Sequence, residues 1–175
     1  MTDLLPEKWM KGVAVTTTVL AVLTAIAASR GAAFGAKIQL LTALEGSQWS
    51  YYQAKSIKHH LMETQQDAFK GAALGTVTPE QKAFYESKLV FLKDEIARYD
   101  KEKNEIKAQA ENTGKQNVLF GRKANQISLS VVIFQIAIML SSVSALIKRK
   151  EMWISGILFG CVAIVFLANG LLLFF

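Results

Sequence analysis

Three stretches of the chain carry no charged residue: 12–29, 124–147 and 152–175. A helix rises about 1.5 Å per residue, so about twenty apolar residues cross the hydrocarbon of a bilayer. Each stretch is therefore read as a transmembrane helix. Only Lys148-Arg149-Lys150-Glu151 separates the last two, which makes the C-terminal third a transmembrane hairpin. The first block follows Lys8, Trp9 and Lys11 and has small residues at Ala25 and Ala27, features shared with a secretory signal peptide. Its apolar core is long for a signal, so a retained anchor is expected.

Between the first and second stretches the pattern turns amphipathic. Residues 31–123 hold one proline, Pro79, and no run of alternating apolar and polar residues, so they read as helix rather than strand. In a first arm, about 31–70, Leu40, Leu44, Tyr51, Ala54, Ile57, Leu61 and Ala68 recur at spacings of three, four or seven. That spacing puts them on one face, the expected apolar side of the arm. Nothing clearly interrupts the chain between the first span and this arm, which allows one long helix with soft points at Gly31 and Gly35. The break comes at 71–78, where two glycines mark a turn. Thr78-Pro79-Glu80-Gln81 then reads as a helix start: Thr78 as N-cap, Pro79 at the first helical position, Gln81 as capping-box partner. In the second arm Tyr85, Leu89, Leu92, Ile96, Tyr99, Lys103, Ile106 and Ala110 alternate four and three, a heptad seam with one polar insertion at Lys103. Asn112-Thr113-Gly114 is expected to break or bend the helix before the second span.

The predicted fold is an all-α membrane protein. It has three transmembrane helices, one N-terminal and two C-terminal, around a long antiparallel, coiled-coil-like helical hairpin. The predicted boundaries are 1–30 for the N-terminal transmembrane helix and 31–123 for the extramembrane hairpin, with its turn near 71–78. The second span follows at 124–147, a short basic loop at 148–151, and the third span at 152–175.

Composition supports an aqueous part and a membrane part. The chain is 51% hydrophobic and 19% charged, and most of the charge lies between Arg30 and Lys123. The net charge of +6 implies no nucleic-acid partner. Lys8, Lys11, Lys148, Arg149 and Lys150 flank the spans, where basic residues act as topology signals. They place the N-terminus and the 148–151 loop in the cytoplasm and the middle segment outside it. Arg30, Arg122 and Lys123 at the opposite ends act against this orientation. Cys161, the single cysteine, cannot form an intramolecular disulfide and reads as a small apolar residue.

The surfaces read as built for association. A two-helix hairpin has little core of its own, and this one carries more aromatics than one seam needs. Trp49, Tyr52 and Ser56 share one face, and Gln48, Tyr51 and Lys55 another. They are expected to form a contact layer within the hairpin or between copies, together with Leu92, Ile96 and Tyr99 of the seam. In the last span Gly156 and Gly160 form a small-xxx-small face that lets helices approach closely. In the middle span Asn125, Ser128, Gln135 and Ser142 make a polar strip. Interhelical hydrogen bonding is its favoured reading; the lining of a water or ion path is the other.

Chemistry is sparse. His59 and Glu63 stand at metal-ligand spacing on a helix, and His60 adjoins them. Adjacent helical residues point to different sides, so only one histidine is expected to meet Glu63. No second ligand pair appears, so a solvated or interfacial histidine pair is expected, with no metal and no cofactor. No Walker loop, Gly-x-Ser-x-Gly elbow, Cys-x-x-Cys or His-Glu-x-x-His is present, so no catalytic residue is assigned and no enzyme is expected.

The segment Gln48-Trp49-Ser50-Tyr51-Tyr52-Gln53-Ala54-Lys55-Ser56-Ile57-Lys58, with the one-plus-two arrangement of spans, resembles the bacterial membrane family catalogued as domain of unknown function 4337. The resemblance implies a protein of the bacterial inner membrane with no assigned activity. Its expected partners are the lipid bilayer and further copies of itself. Three roles fit: a homo-oligomeric scaffold with a helical extracytoplasmic stalk, first; a pore-like oligomer lined by the polar strip; or an accessory subunit of a larger membrane or envelope complex.

Overall fold

The computed structural model describes residues 8–172. These form three α-helices: α1, Lys8–Ala73; α2, Pro79–Ile147; and α3, Lys150–Leu172. Each is long and apolar enough to cross a membrane. This corrects the predicted layout of a separate hairpin stalk set between one span and two more. The stretches read as first span and first arm are one helix, and those read as second arm and second span are another. Residues 1–7 and 173–175 of the predicted spans lie outside the described residues.

The expected break at Asn112-Thr113-Gly114 is absent for a local reason. Thr113 is buried, and its hydroxyl donates to the Gln109 carbonyl one turn back, so it stays inside the helix. A Cβ on Gly114 would lie 2.8 Å from Glu45 Oε1. The glycine there makes room for a neighbour and does not end the helix.

The chain divides into two compact units, Met1–Gln39 with Asn117–Phe175, and Leu40–Gln116. In the first, α1, α2 and α3 pack around Leu20, Ala27, Ile127, Phe134, Ala137 and Ala163. On α2 the fully buried positions Ile127, Ser130, Phe134, Ala137, Ser141 and Ser144 alternate three and four, the spacing of a packed helix seam. Trp9 and Trp153 lie 6.4 Å apart between ring centroids, and the Trp153 indole N–H donates to Thr16 Oγ1 at 3.0 Å. α2 ends in a left-handed residue, Lys148, at φ 57°. The Arg149 N–H then reaches the Ser144 carbonyl at 3.2 Å, which satisfies one of the helix's last acceptors.

In the second unit α1 and α2 run antiparallel and are joined across residues 74–78. The capping box forms as predicted: the Thr78 N–H donates to Gln81 Oε1 at 3.0 Å, and the Gln81 N–H to Thr78 Oγ1 at 3.3 Å. Phe69 packs beside this turn on Phe84 and Tyr85, at 6.4 and 5.9 Å. None of the predicted heptad positions of α2 is exposed, and Leu92, Ile106 and Ala110 are buried.

Candidate functional site

The side that α1 presents to α2 in the second unit is not its apolar face. The seven residues predicted as that face, Leu40, Leu44, Tyr51, Ala54, Ile57, Leu61 and Ala68, are all exposed. Leu40 and Ile57 are each 69% exposed. Leu41 and His59 are buried instead, and Gln48, Trp49, Tyr52, Lys55 and Ser56 are half-buried. Trp49 and Tyr52 meet edge to face at 5.5 Å.

The centre of this polar, aromatic side is a clasp between the helices. Lys55 Nζ donates to Glu102 Oε2 at 2.5 Å. The same ammonium lies 5.3 Å from the Tyr51 ring centroid and 5.1 Å from that of Tyr99. The hydrogen bond from Lys55 is the largest influence holding the Glu102 carboxyl below its ordinary value. The hydrogen bond to Glu102 likewise raises Lys55. Arg98 adds a contact 3.6 Å from Glu102 Oε1 and reaches Glu95 at 2.7 Å. Tyr99 therefore takes part in the contact between the helices, and on the same seam of α2 Leu92 is buried and Ile96 half-buried. Tyr51 is exposed while Trp49 and Tyr52 are half-buried, so the three aromatic candidates are divided between two sides of α1.

Gly156 and Gly160 also make contacts within the chain. A Cβ on Gly156 would lie 3.0 Å from the Ala137 carbonyl oxygen and 3.2 Å from the Ser141 amide nitrogen of α2. A Cβ on Gly160 would lie 2.8 Å from Leu20 Cδ2 of α1. One small-residue face thus receives both neighbouring helices.

The polar strip lies elsewhere than inside the three-helix unit. Asn125, Ser128, Gln135 and Ser142 are all exposed. The buried polar residues of this unit are Ser130, Ser141, Ser144 and Asn169, none of which the sequence reading picked out. Ser130 and Ser144 satisfy their hydroxyls on carbonyls of their own helix, at 2.7 and 2.6 Å. Their spacing with Ile127, Phe134 and Ala137 is the signal that could have identified them.

On α1, both histidines reach the same carboxylate. His59 Nδ1 lies 3.4 Å from Glu63 Oε2, and His60 Nδ1 lies 2.9 Å from it. Only His60 hydrogen-bonds Glu63, as expected of one ring, while His59 approaches it because Glu63 sits one turn on, between the two histidine directions.

A family model described as a domain of unknown function, DUF4337, matches residues 9–173. No curated protein and no solved structure matches the chain significantly.

Proposed function

The chain belongs to the DUF4337 family, and on that premise we propose that it is a non-enzymatic membrane scaffold that works as a homo-oligomer. The exposed stripe of α1, from Leu40 through Leu44, Tyr51, Ile57 and Leu61, carries this reading. Glu45, Lys58, Asp67 and Lys70 on the same stretch disfavour placement in hydrocarbon. In water an apolar row of this length calls for a protein cover. A second copy offers the same row at the same helical spacing, so the pair can be self-complementary.

The outward polar strip supports the same reading from within the apolar part of α2. Asn125 and Gln135 on an exposed face of a membrane helix gain by bonding across to another helix, at about 0.6 kcal/mol per bond. The orientation with residues 148–151 in the cytoplasm of a bacterial inner membrane belongs to the proposal. It rests on the Lys148-Arg149-Lys150 cluster and the family resemblance.

Native mass spectrometry in detergent tests the proposal. The protein should be oligomeric at micromolar concentration. The double variant Ile57→Glu, Leu61→Glu should be monomeric with unchanged helicity, since both side chains are exposed within the chain. A strictly monomeric wild-type protein refutes the reading. Ion conduction by the reconstituted oligomer would favour a pore lined by the outward strip instead. Crosslinking from Tyr51 in cells that captured only a foreign protein would favour an accessory subunit.

A further inference from the structure

We infer that His59, His60 and Glu63 of α1 form a binding site for a divalent transition-metal cation of the zinc type. One ligand atom from each residue lies within 4.8 Å of the other two. The nitrogen-to-oxygen separations to Glu63 are 3.4 and 2.9 Å. Two ligands bound to zinc at about 2.1 Å across a tetrahedral angle lie about 3.4 Å apart. Both histidine nitrogens thus stand from Glu63 at about the spacing of ligands in one coordination sphere, and all three ligand atoms lie within 4.8 Å of one another.

A second observation points the same way. The His59 side chain is only 10% exposed, yet its Nδ1 makes no hydrogen bond. A buried ring nitrogen without a partner is costly. A hydrogen bond between His60 and Glu63 needs one histidine and leaves this atom unexplained. A cation beside Glu63 Oε2 engages all three groups.

The donor set selects the cation. Two imidazole nitrogens and a carboxylate oxygen suit zinc, cobalt, nickel or copper, whereas calcium and magnesium favour oxygen alone. Three protein ligands leave one position for water. His60, 72% exposed, and Glu63, 45% exposed, give the ion a route from the surface. All three ligands lie within five residues of one helix, so the helix itself sets their spacing. The site does not depend on the self-association proposed above.

The test uses the full chain in detergent, freed of any affinity tag and stripped with a chelator. Calorimetric titration with zinc chloride should show one ion bound per chain. His60→Ala and Glu63→Gln should each weaken binding by about tenfold or more. Both replaced side chains are exposed, so circular dichroism should be unchanged in these variants. Cobalt should give the visible absorption of a four-coordinate nitrogen and oxygen site, reduced by the same substitutions. His59→Phe, which keeps the buried volume without the ligand atom, should also lose binding. Absence of zinc uptake by the wild-type protein overturns the inference, as does an affinity unchanged by both His60→Ala and Glu63→Gln.

Discussion

Replacing Gly156 by alanine and, separately, Gly160 by alanine should have unequal effects, because the added methyl groups meet different atoms. At Gly156 the new Cβ meets the Ala137 carbonyl oxygen and Ser141 backbone nitrogen, at 3.0 and 3.2 Å, and overlaps the Ser141 hydroxyl. Backbone in a packed helix cannot step aside without moving the helix. Overpacking costs about 1–3 kcal/mol, and a clash against backbone belongs at the upper end. Alanine recovers about 1 kcal/mol in helix propensity. The net loss is about 1–2 kcal/mol, a five- to thirtyfold shift in the folded-to-unfolded ratio. At Gly160 the methyl meets Leu20 Cδ2, the far end of a flexible side chain, at 2.8 Å. Relief by a rotamer adjustment costs about 0.5–1.5 kcal/mol, close to the propensity gain. Gly160→Ala should therefore stay within about 0.5 kcal/mol of the wild type. Unfolding by sodium dodecyl sulfate from mild detergent micelles, followed by tryptophan fluorescence, would measure both. Trp9 and Trp153 stack within the packing being disrupted. Equal costs for the two variants, or a larger cost for Gly160→Ala, would refute the reasoning.

Two further predictions concern the end of α2 and the clasp. Lys148 occupies the left-handed region, where a side chain costs about 1 kcal/mol relative to glycine. Lys148→Gly should raise stability by about that amount, seen as a higher thermal midpoint in detergent; a lower midpoint contradicts the cap. For the clasp, Glu102 is lowered by the Lys55 hydrogen bond, so its contribution is present above the unfolded carboxylate value and lost as pH falls through the folded one. Lys55 is raised, so its contribution is full below the unfolded lysine value and lost as pH rises through the folded one. The α1–α2 pairing should be firmest between about pH 5 and about pH 10. Glu102→Gln should flatten the acid side of a plot of melting temperature against pH, and an unaltered acid side would count against the clasp.

Local rules were the most legible in this sequence. The capping box of Thr78 and Gln81 is closed by groups three residues apart, so nothing distant can overrule it. The α2 seam was legible because Leu92, Ile106 and Ala110 meet a neighbour that the same chain supplies. The α1 face was misjudged for the converse reason. Its apolar row is real, but α1 turns Trp49, Tyr52, Lys55 and His59 toward α2, where the bond to Glu102 forms. Hydrophobic periodicity finds a face and does not say which partner meets it. Gly114 was misread because glycine serves both as a helix stop and as a place for close approach, and only Glu45 decides between them. The polar strip was legible as a strip, but its outward direction depends on how α3 and α1 pack on α2.

Two residues, Lys148 and Arg149, join α2 to α3. So short a link bridges only about 11 Å even when fully stretched, far less than the roughly 30 Å of hydrocarbon each helix needs to cross. During synthesis α3 therefore emerges within reach of the end of α2, and the two must enter the bilayer as a couple. Under the orientation proposed above, one small cluster of positive charge then serves as a common address for both. A change there would misroute the pair together, while α1, inserted earlier, kept its own direction.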